Sequence, residues 1–199
     1  MSKKKNLTDL NQFVQDAIRT ESRVDRIRVN VRLLFNALIL FNSAGQLLDM
    51  AKKRIFYRKE YDVNKAERSL DHAAKALSQL QRVPVGRDYA EEVVEFNSRI
   101  LHGIIGLATE STELCEALFM AMTSNSQLDI INVLEELGDV SWYEAILLDE
   151  VQGDWNTVLD TVILKLKKRY PEKFTNEAAV NRDLDSERKV LETMKPKTD

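Results

Sequence analysis

Only three prolines and six glycines punctuate 199 residues, so most of this chain contains nothing that stops a helix. β-Hairpin signals are absent. The apolar spacing and the few breakers predict helices over about Leu7–Thr20, Ser22–Phe56, Val63–Leu80, Tyr89–Met122, Leu128–Asp149 and Asp154–Arg169. The clearest interruption is Arg82-Val-Pro-Val-Gly-Arg87, and a polar loop is expected over Thr123–Gln127. Pro171 closes the last long helix, and Thr175 with Ala178 and Ala179 suggests one more short one. The reading is an all-α protein whose helices pack antiparallel through short loops. It divides into an N-terminal helical region, 1–87, and a second helical domain, 88–199.

Composition removes several function classes. A net charge of -3 gives no basic field for non-specific nucleic-acid binding. The basic tip Lys3–Lys5 reads as a solvated terminus. Cys115 is the only cysteine, which excludes an internal disulfide and fits a reducing, cytoplasmic setting. Between the acids and an apolar run, it reads as a small buried hydrophobe. No signal peptide is visible. The longest apolar run, Leu33–Phe41, is broken by Asn36 and falls short of the roughly 18 residues of a membrane span, so no membrane partner is expected.

Two acidic signatures stand out, Glu110-x-x-Glu113 and Glu136-x-x-Asp139, with 22 residues between them. Positions i and i+3 share a helix face, so each pair projects two carboxylates in one direction. A lone Glu-x-x-Glu is usually a solvated face, given 32 acidic residues here. The surroundings differ from such a face. The first pair continues the stripe Gly103, Gly106, Glu110, Glu113, Ala117, whose small residues admit a close neighbour. The second lies in Asn132, Glu136, Asp139, Tyr143, beside an apolar stripe of Val133, Leu134, Leu137 and Val140. Gly138 interrupts that helix at a cost of about 1 kcal/mol and suggests another close approach. Two such helices together would offer four carboxylates to one spot. A hard divalent cation relieves their repulsion, and Mg²⁺ is the usual one, with Mn²⁺ a possible substitute.

An internal repeat is also suggested. Arg32–Asp49 aligns on Arg99–Glu116 at an offset of 67, with identities at Arg32, Leu34, Leu40 and Leu47. Ser43, Gln46, Ser69 and His72 then fall on Glu110, Glu113, Glu136 and Asp139. Helical patterning alone gives matches of this number, so duplication and coincidence both stand at this level. If the copy is real, it has lost its acids and is a packing partner. The region up to Gln81 also lacks a phosphate-binding loop, and no catalysis is expected of it.

The stretch Leu101-His-Gly-Ile-Ile-Gly-Leu-Ala-Thr-Glu-Ser-Thr-Glu-Leu-Cys-Glu116 resembles the first signature of the all-α nucleoside triphosphate pyrophosphohydrolases, in their MazG-like branch. Leu134-Glu-Glu-Leu-Gly-Asp-Val-Ser-Trp-Tyr143 resembles the second. Lys165-Leu-Lys-Lys-Arg-Tyr-Pro171, with Phe174 and Asn181-Arg-Asp183, is similar to the segment that closes the branch. The resemblance spans roughly Tyr89 to Glu187. Ser111 and Thr112 depart from the common Ala-Gly at the centre of the first signature, and Val162 stands where many relatives carry asparagine.

The resemblance implies a bundle of that family's type. It also implies hydrolysis of a (deoxy)nucleoside triphosphate to the monophosphate and pyrophosphate. Glu110, Glu113, Glu136 and Asp139 would be the Mg²⁺ ligands, and Glu110 or Glu113 would take the proton of the attacking water. Lys165, Lys168 and Arg169 are phosphate-binding candidates, though a basic last turn also complements a helix dipole. Tyr143, Tyr170 and Asn181 are further nucleotide-binding candidates. His102 and Trp142 read as core or interface residues. Relatives assemble, so a homodimer or dimer of dimers is expected, unless the N-terminal half closes the site within one chain.

Two alternatives compete. A ferritin-type di-iron bundle needs Glu-x-x-His motifs, and neither His72 nor His102 stands three residues after a glutamate. A non-catalytic helical scaffold or adaptor is supported by the long N-terminal helices and opposed by the intact acidic quartet.

Overall fold

The structure, a computed structural model, describes residues 9–83 and 91–194. Its elements run α1 (Leu10–Ala17), a 3-10 turn (Ile18–Thr20), β1 (Ile27–Val29), α2 (Val31–Tyr57), α3 (Val63–Leu80), β2 (Glu92–Val94), α4 (Ser98–Ser124), α5 (Ile130–Glu150), α6 (Trp155–Arg169), α7 (Asn176–Val180) and α8 (Leu184–Leu191). The described residues are therefore mostly helical, as the scarcity of glycine and proline predicts. They form two compact units, each assembled from separated stretches. One holds Met1–Asp25, Phe96–Lys165 and Ser186–Asp199, and the other Arg26–Glu95 and Leu166–Asp185. The expected boundary at 87/88 lies outside the described residues.

In the first unit, α4 and α5 form a helical hairpin. Asn97 and Asp129 start the two helices by accepting hydrogen bonds from the backbone N–H groups of Ile100, and of Ile131 and Asn132. Asn125, at φ 49°, ends α4 in the left-handed region that asparagine tolerates. Val14 and Ala17 of α1 bury against Ala145 and Leu148 of α5, flanked by Phe13, Ile18, Trp142, Trp155 and Val158. Trp142 serves this core: its Nε1–H donates to the Ala17 carbonyl at 3.2 Å and to Thr20 Oγ1 at 2.9 Å.

A charged knot holds the segment after α1 against both helices. The Arg99 guanidinium bonds Glu21 through Nε and Nη2, each at 2.8 Å. It also bonds Glu150 at 2.7 Å and Asp149 at 2.8 Å. The Arg99 side chain is 16% exposed and that of Glu21 0%. Burial alone pushes the Glu21 carboxyl up, but the hydrogen bonds and charge of Arg99, with those of Arg23, outweigh it and hold the pKa below the usual value.

The second unit contains the α2–α3 hairpin, capped by Asn30 and Asp62. Ser43, Met50, Ser69 and Ala76 are its buried positions. β1 pairs antiparallel with β2, Ile27 opposite Val94 and Val29 opposite Glu92. Phe174, before α7, packs its ring near Tyr57 at 5.7 Å and Tyr170 at 5.4 Å.

Several expectations are corrected. The helix expected over Ser22–Phe56 is split: β1 occupies Ile27–Val29 and Asn30 caps α2 at Val31. The helix expected from Tyr89 likewise begins at Ser98, after β2, while Tyr89 itself is outside the described residues. Both strands escaped notice because β-branched residues in three-residue runs carry little local signal, and their pairing partners lie far apart in sequence. Leu7 is outside the described residues, and α1 begins at Leu10. The tail carries α8 in addition to the short α7. Cys115 is exposed rather than buried. It lies one step off the half-buried stripe Leu114, Ala117, Ala121. Separately from these corrections, α2 is long and apolar enough by length and composition to cross a membrane, with a mean hydropathy of 1.4, a test that core helices and signal sequences also pass. Its average, rather than its longest unbroken run, meets that measure.

Arg99→Ala is expected to destabilise the protein by about 3 kcal/mol, because it leaves the buried Glu21 carboxylate with the exposed Arg23 as its remaining cation and frees Asp149 and Glu150 of theirs. A denaturant midpoint comparison checks this, and Glu21→Gln in the same background should recover part of the loss. Glu21 has a lowered folded pKa, so its contribution is present above the unfolded carboxylate value and disappears as pH falls through the folded one.

Candidate metal centre

The site is built where α4 crosses α5. Gly103 and Gly106 are buried, and a Cβ at Gly106 would lie well under 3.0 Å from the Tyr143 ring. At Gly103 it would meet Leu147 Cγ at 2.5 Å. The small stripe therefore receives α5 itself. Pairings that run 103 with 147, then 106 with 143, then 110 and 113 with 136 make the two helices antiparallel. The same logic does not extend to Gly138, where a Cβ would meet nothing within 4 Å. Leu134 and Leu137 of the expected apolar stripe are exposed, while Val133 and Val140 are half-buried.

One helical turn beyond Gly106, the acids converge. Glu110, Glu113 and Glu136 each offer an oxygen, and these oxygens lie within 4.8 Å of one another. Such a cluster can hold a metal ion. Glu136 is 4% exposed, Glu110 half-buried and Glu113 exposed. Asn132, one turn before Glu136, donates its Nδ2–H to Glu136 Oε1 at 2.7 Å and so orients that carboxylate. Asp139 is exposed and outside the mutual set, yet its charge acts on both Glu110 and Tyr143. A residue the sequence reading passed over is Thr109. Its hydroxyl lies 2.8 Å from the Gly106 carbonyl and 3.2 Å from Glu110 Oε1. Its adjacency to Glu110 was the only signal.

The electrostatics follow from crowding. Burial pushes the Glu110 carboxyl above its usual value; the Thr109 hydrogen bond opposes this, and Glu113, Glu136 and Asp139 add to it. The Tyr143 phenol is pushed up as well, by burial and then by the charges of Glu110, Asp139 and Glu113. It therefore stays a protonated O–H donor beside the acids. His102, Trp142 and Tyr143 form an edge-on trio with ring centroids 4.9–5.9 Å apart. With Trp142 committed to α1, the trio braces Tyr143 from behind.

The remaining candidates are distributed between the units. Lys165 belongs to the unit of the acids, half-buried near the end of α6. Lys168, Arg169, Tyr170 and Asn181 belong to the other unit. There Lys168 and Arg169 stand in the last turn of α6, the Arg169 guanidinium lies 5.6 Å from the Tyr170 ring centre, and Asn181 caps the end of α7. No family model matches the chain, and neither a curated protein nor a solved structure matches it.

Gly106→Ala should destabilise the protein by about 1–3 kcal/mol, because the Tyr143 ring has a packed aromatic neighbour on each side. Thermal melts test this, and Gly138→Ala, in open space, should be neutral or stabilising. Glu110 has a raised folded pKa, so its favourable contribution is full below the unfolded carboxylate value and is lost as pH rises through the folded one. Metal-free protein should thus lose stability as pH climbs out of the carboxylate range. In Glu110→Gln that slope should flatten, read as Tm against pH in chelator.

Proposed function

We propose that the protein is a Mg²⁺-dependent nucleoside triphosphate pyrophosphohydrolase of the MazG-like, all-α type. The observation that carries the reading is the convergence of Glu110 and Glu113 on α4 with Glu136 on α5, with the charge of Asp139 acting on Glu110. The motif order and the Lys165-to-Pro171 segment support it. Glu110, Glu113, Glu136 and Asp139 would hold Mg²⁺ or Mn²⁺, which when bound neutralises triphosphate charge and lowers the pKa of a coordinated water. Glu110 or Glu113 accepts the proton of the attacking water. The new bond forms between that water's oxygen and the α-phosphorus; the bond from the α-phosphorus to the bridging oxygen breaks, and pyrophosphate leaves. Asn132 keeps Glu136 turned to the cluster, and the Tyr143 O–H can donate to the substrate. The resemblance assigns phosphate to Lys165, Lys168 and Arg169 and the nucleoside to Tyr170 and Asn181. We place this activity in the cytoplasm, in a homodimer or dimer of dimers.

A second reading, a non-catalytic scaffold, draws on one observation. Around the α4–α5 loop, Phe119, Met122, Ile130 and Ile131 are 60–75% exposed, an apolar surface suited to a protein partner. Pyrophosphate release separates the two. With Mg²⁺ and each (d)NTP, Glu113→Gln and Asp139→Asn should each lower turnover at least about 100-fold and weaken Mg²⁺ binding, without loss of metal-free stability. Glu116→Gln, one step past the signature, should cost less. Equal turnover in all three variants and wild type would overturn the metal-site reading and the enzyme with it.

A further inference from the structure

The two helical hairpins share one register. α2 and α4 are each 27 residues long, and both their starts, Val31 and Ser98, and their ends, Tyr57 and Ser124, are 67 positions apart. The flanks repeat in kind. Asn30 and Asn97 are N-caps that accept, at 3.0 Å, from the N–H three residues on. Arg58 and Asn125 end the helices at φ 55° and 49°, in the left-handed region. Asp62 and Asp129 then cap α3 and α5 at the same step. Amphipathic patterning can align a few leucines by chance. It does not place two N-caps of identical type, a left-handed stop and the next N-cap at a single offset. One buried position matches as well: Ser69 is 1% exposed and Glu136 4%. Each hairpin also follows a three-residue strand.

We infer that α2–α3 is a second copy of the α4–α5 hairpin, and that its positions 43, 46, 69 and 72 are a silenced divalent-cation site. The shared register sets Ser43, Gln46, Ser69 and His72 on Glu110, Glu113, Glu136 and Asp139. The four positions in the first hairpin carry no carboxylate. Ser69 Oγ lies 2.9 Å from Gln46 Oε1 and 3.0 Å from the Lys65 carbonyl, and Ser43 is 2% exposed. Where one hairpin gathers three carboxylates, the other joins a hydroxyl to an amide. With no carboxylates at these positions, no mutual repulsion there calls for a cation. The ligand class follows from the partner site: restored carboxylates at these positions would take a divalent cation with oxygen ligands. The inference rests on the metal-centre reading of α4–α5, but the equivalence of the two centres is testable without metal.

A reciprocal exchange tests it. Glu113→Gln with Glu136→Ser gives the second hairpin the Gln46–Ser69 pair of the first. This variant should stay folded by circular dichroism, melt in chelator no lower than wild type, and lose the Mn²⁺-dependent rise in Tm. Loss of the fold would overturn the equivalence. Ser43→Glu, Gln46→Glu, Ser69→Glu and His72→Asp, added in that background, should restore Mn²⁺ binding by electron paramagnetic resonance and the Mn²⁺-dependent rise in Tm. Folding only when Mn²⁺ is present counts as support, since binding and folding are then coupled. A folded chain with no Mn²⁺ response, or one unfolded with and without Mn²⁺, sinks the silenced site. If wild type itself shows no Mn²⁺ response, the metal reading of α4–α5 fails, while the first exchange still decides whether the centres are interchangeable.

Discussion

The closeness of α4 and α5 at Gly106 is the constraint from which the candidate site follows. The Tyr143 ring occupies the space a side chain would fill. With the helices this near, residues one and two turns further on cannot avoid one another, and those residues are acids. Glu136 is buried in the contact, and Glu110 is half-buried beside it. Burial first, and then the like charges so placed, disfavour the ionised state of Glu110 and push its carboxyl up. The arrangement opposes its own stability unless protons or a cation intervene, and that tension is typical of functional sites rather than of structural ion pairs. Contrast the Arg99 knot at the other end of the hairpin, where three acids surround one guanidinium and attraction outweighs repulsion.

Supporting groups sharpen this picture. Asn132 and Thr109 each direct a hydrogen bond to a carboxylate of the cluster. Trp142 commits its donor to α1. The site's rear wall is thus fastened to the core, while Glu113 and Asp139 remain exposed at the front.

The α2–α3 hairpin pairs its helices without acids at the matching positions. Ser69 and Gln46 satisfy each other, and Ser43 fills the crossing with minimal volume. None of its four matching positions carries a carboxylate. The comparison isolates the role of the carboxylates in the second hairpin: the helices do not need them to pair, so their presence needs a reason other than packing.

The sequence by itself determined the helical class, the approximate span of α3, α5 and α6, the acidic pairs and the glycine stripe, because each is written in spacing of three or four residues or in missing breakers. It also carried the 67-residue offset, though residue identities alone could not separate it from helical patterning. Tertiary structure decided the rest. The strands β1 and β2 exist only as each other's partners, across more than sixty residues. The stripe's neighbour proved to be Tyr143 and Leu147, a matter of which helix turns back. Caps at matching positions, visible only once helix ends are placed, raised the repeat above coincidence. Which carboxylates meet, and which one is buried, depends on the crossing of two helices, and local sequence holds no record of that angle.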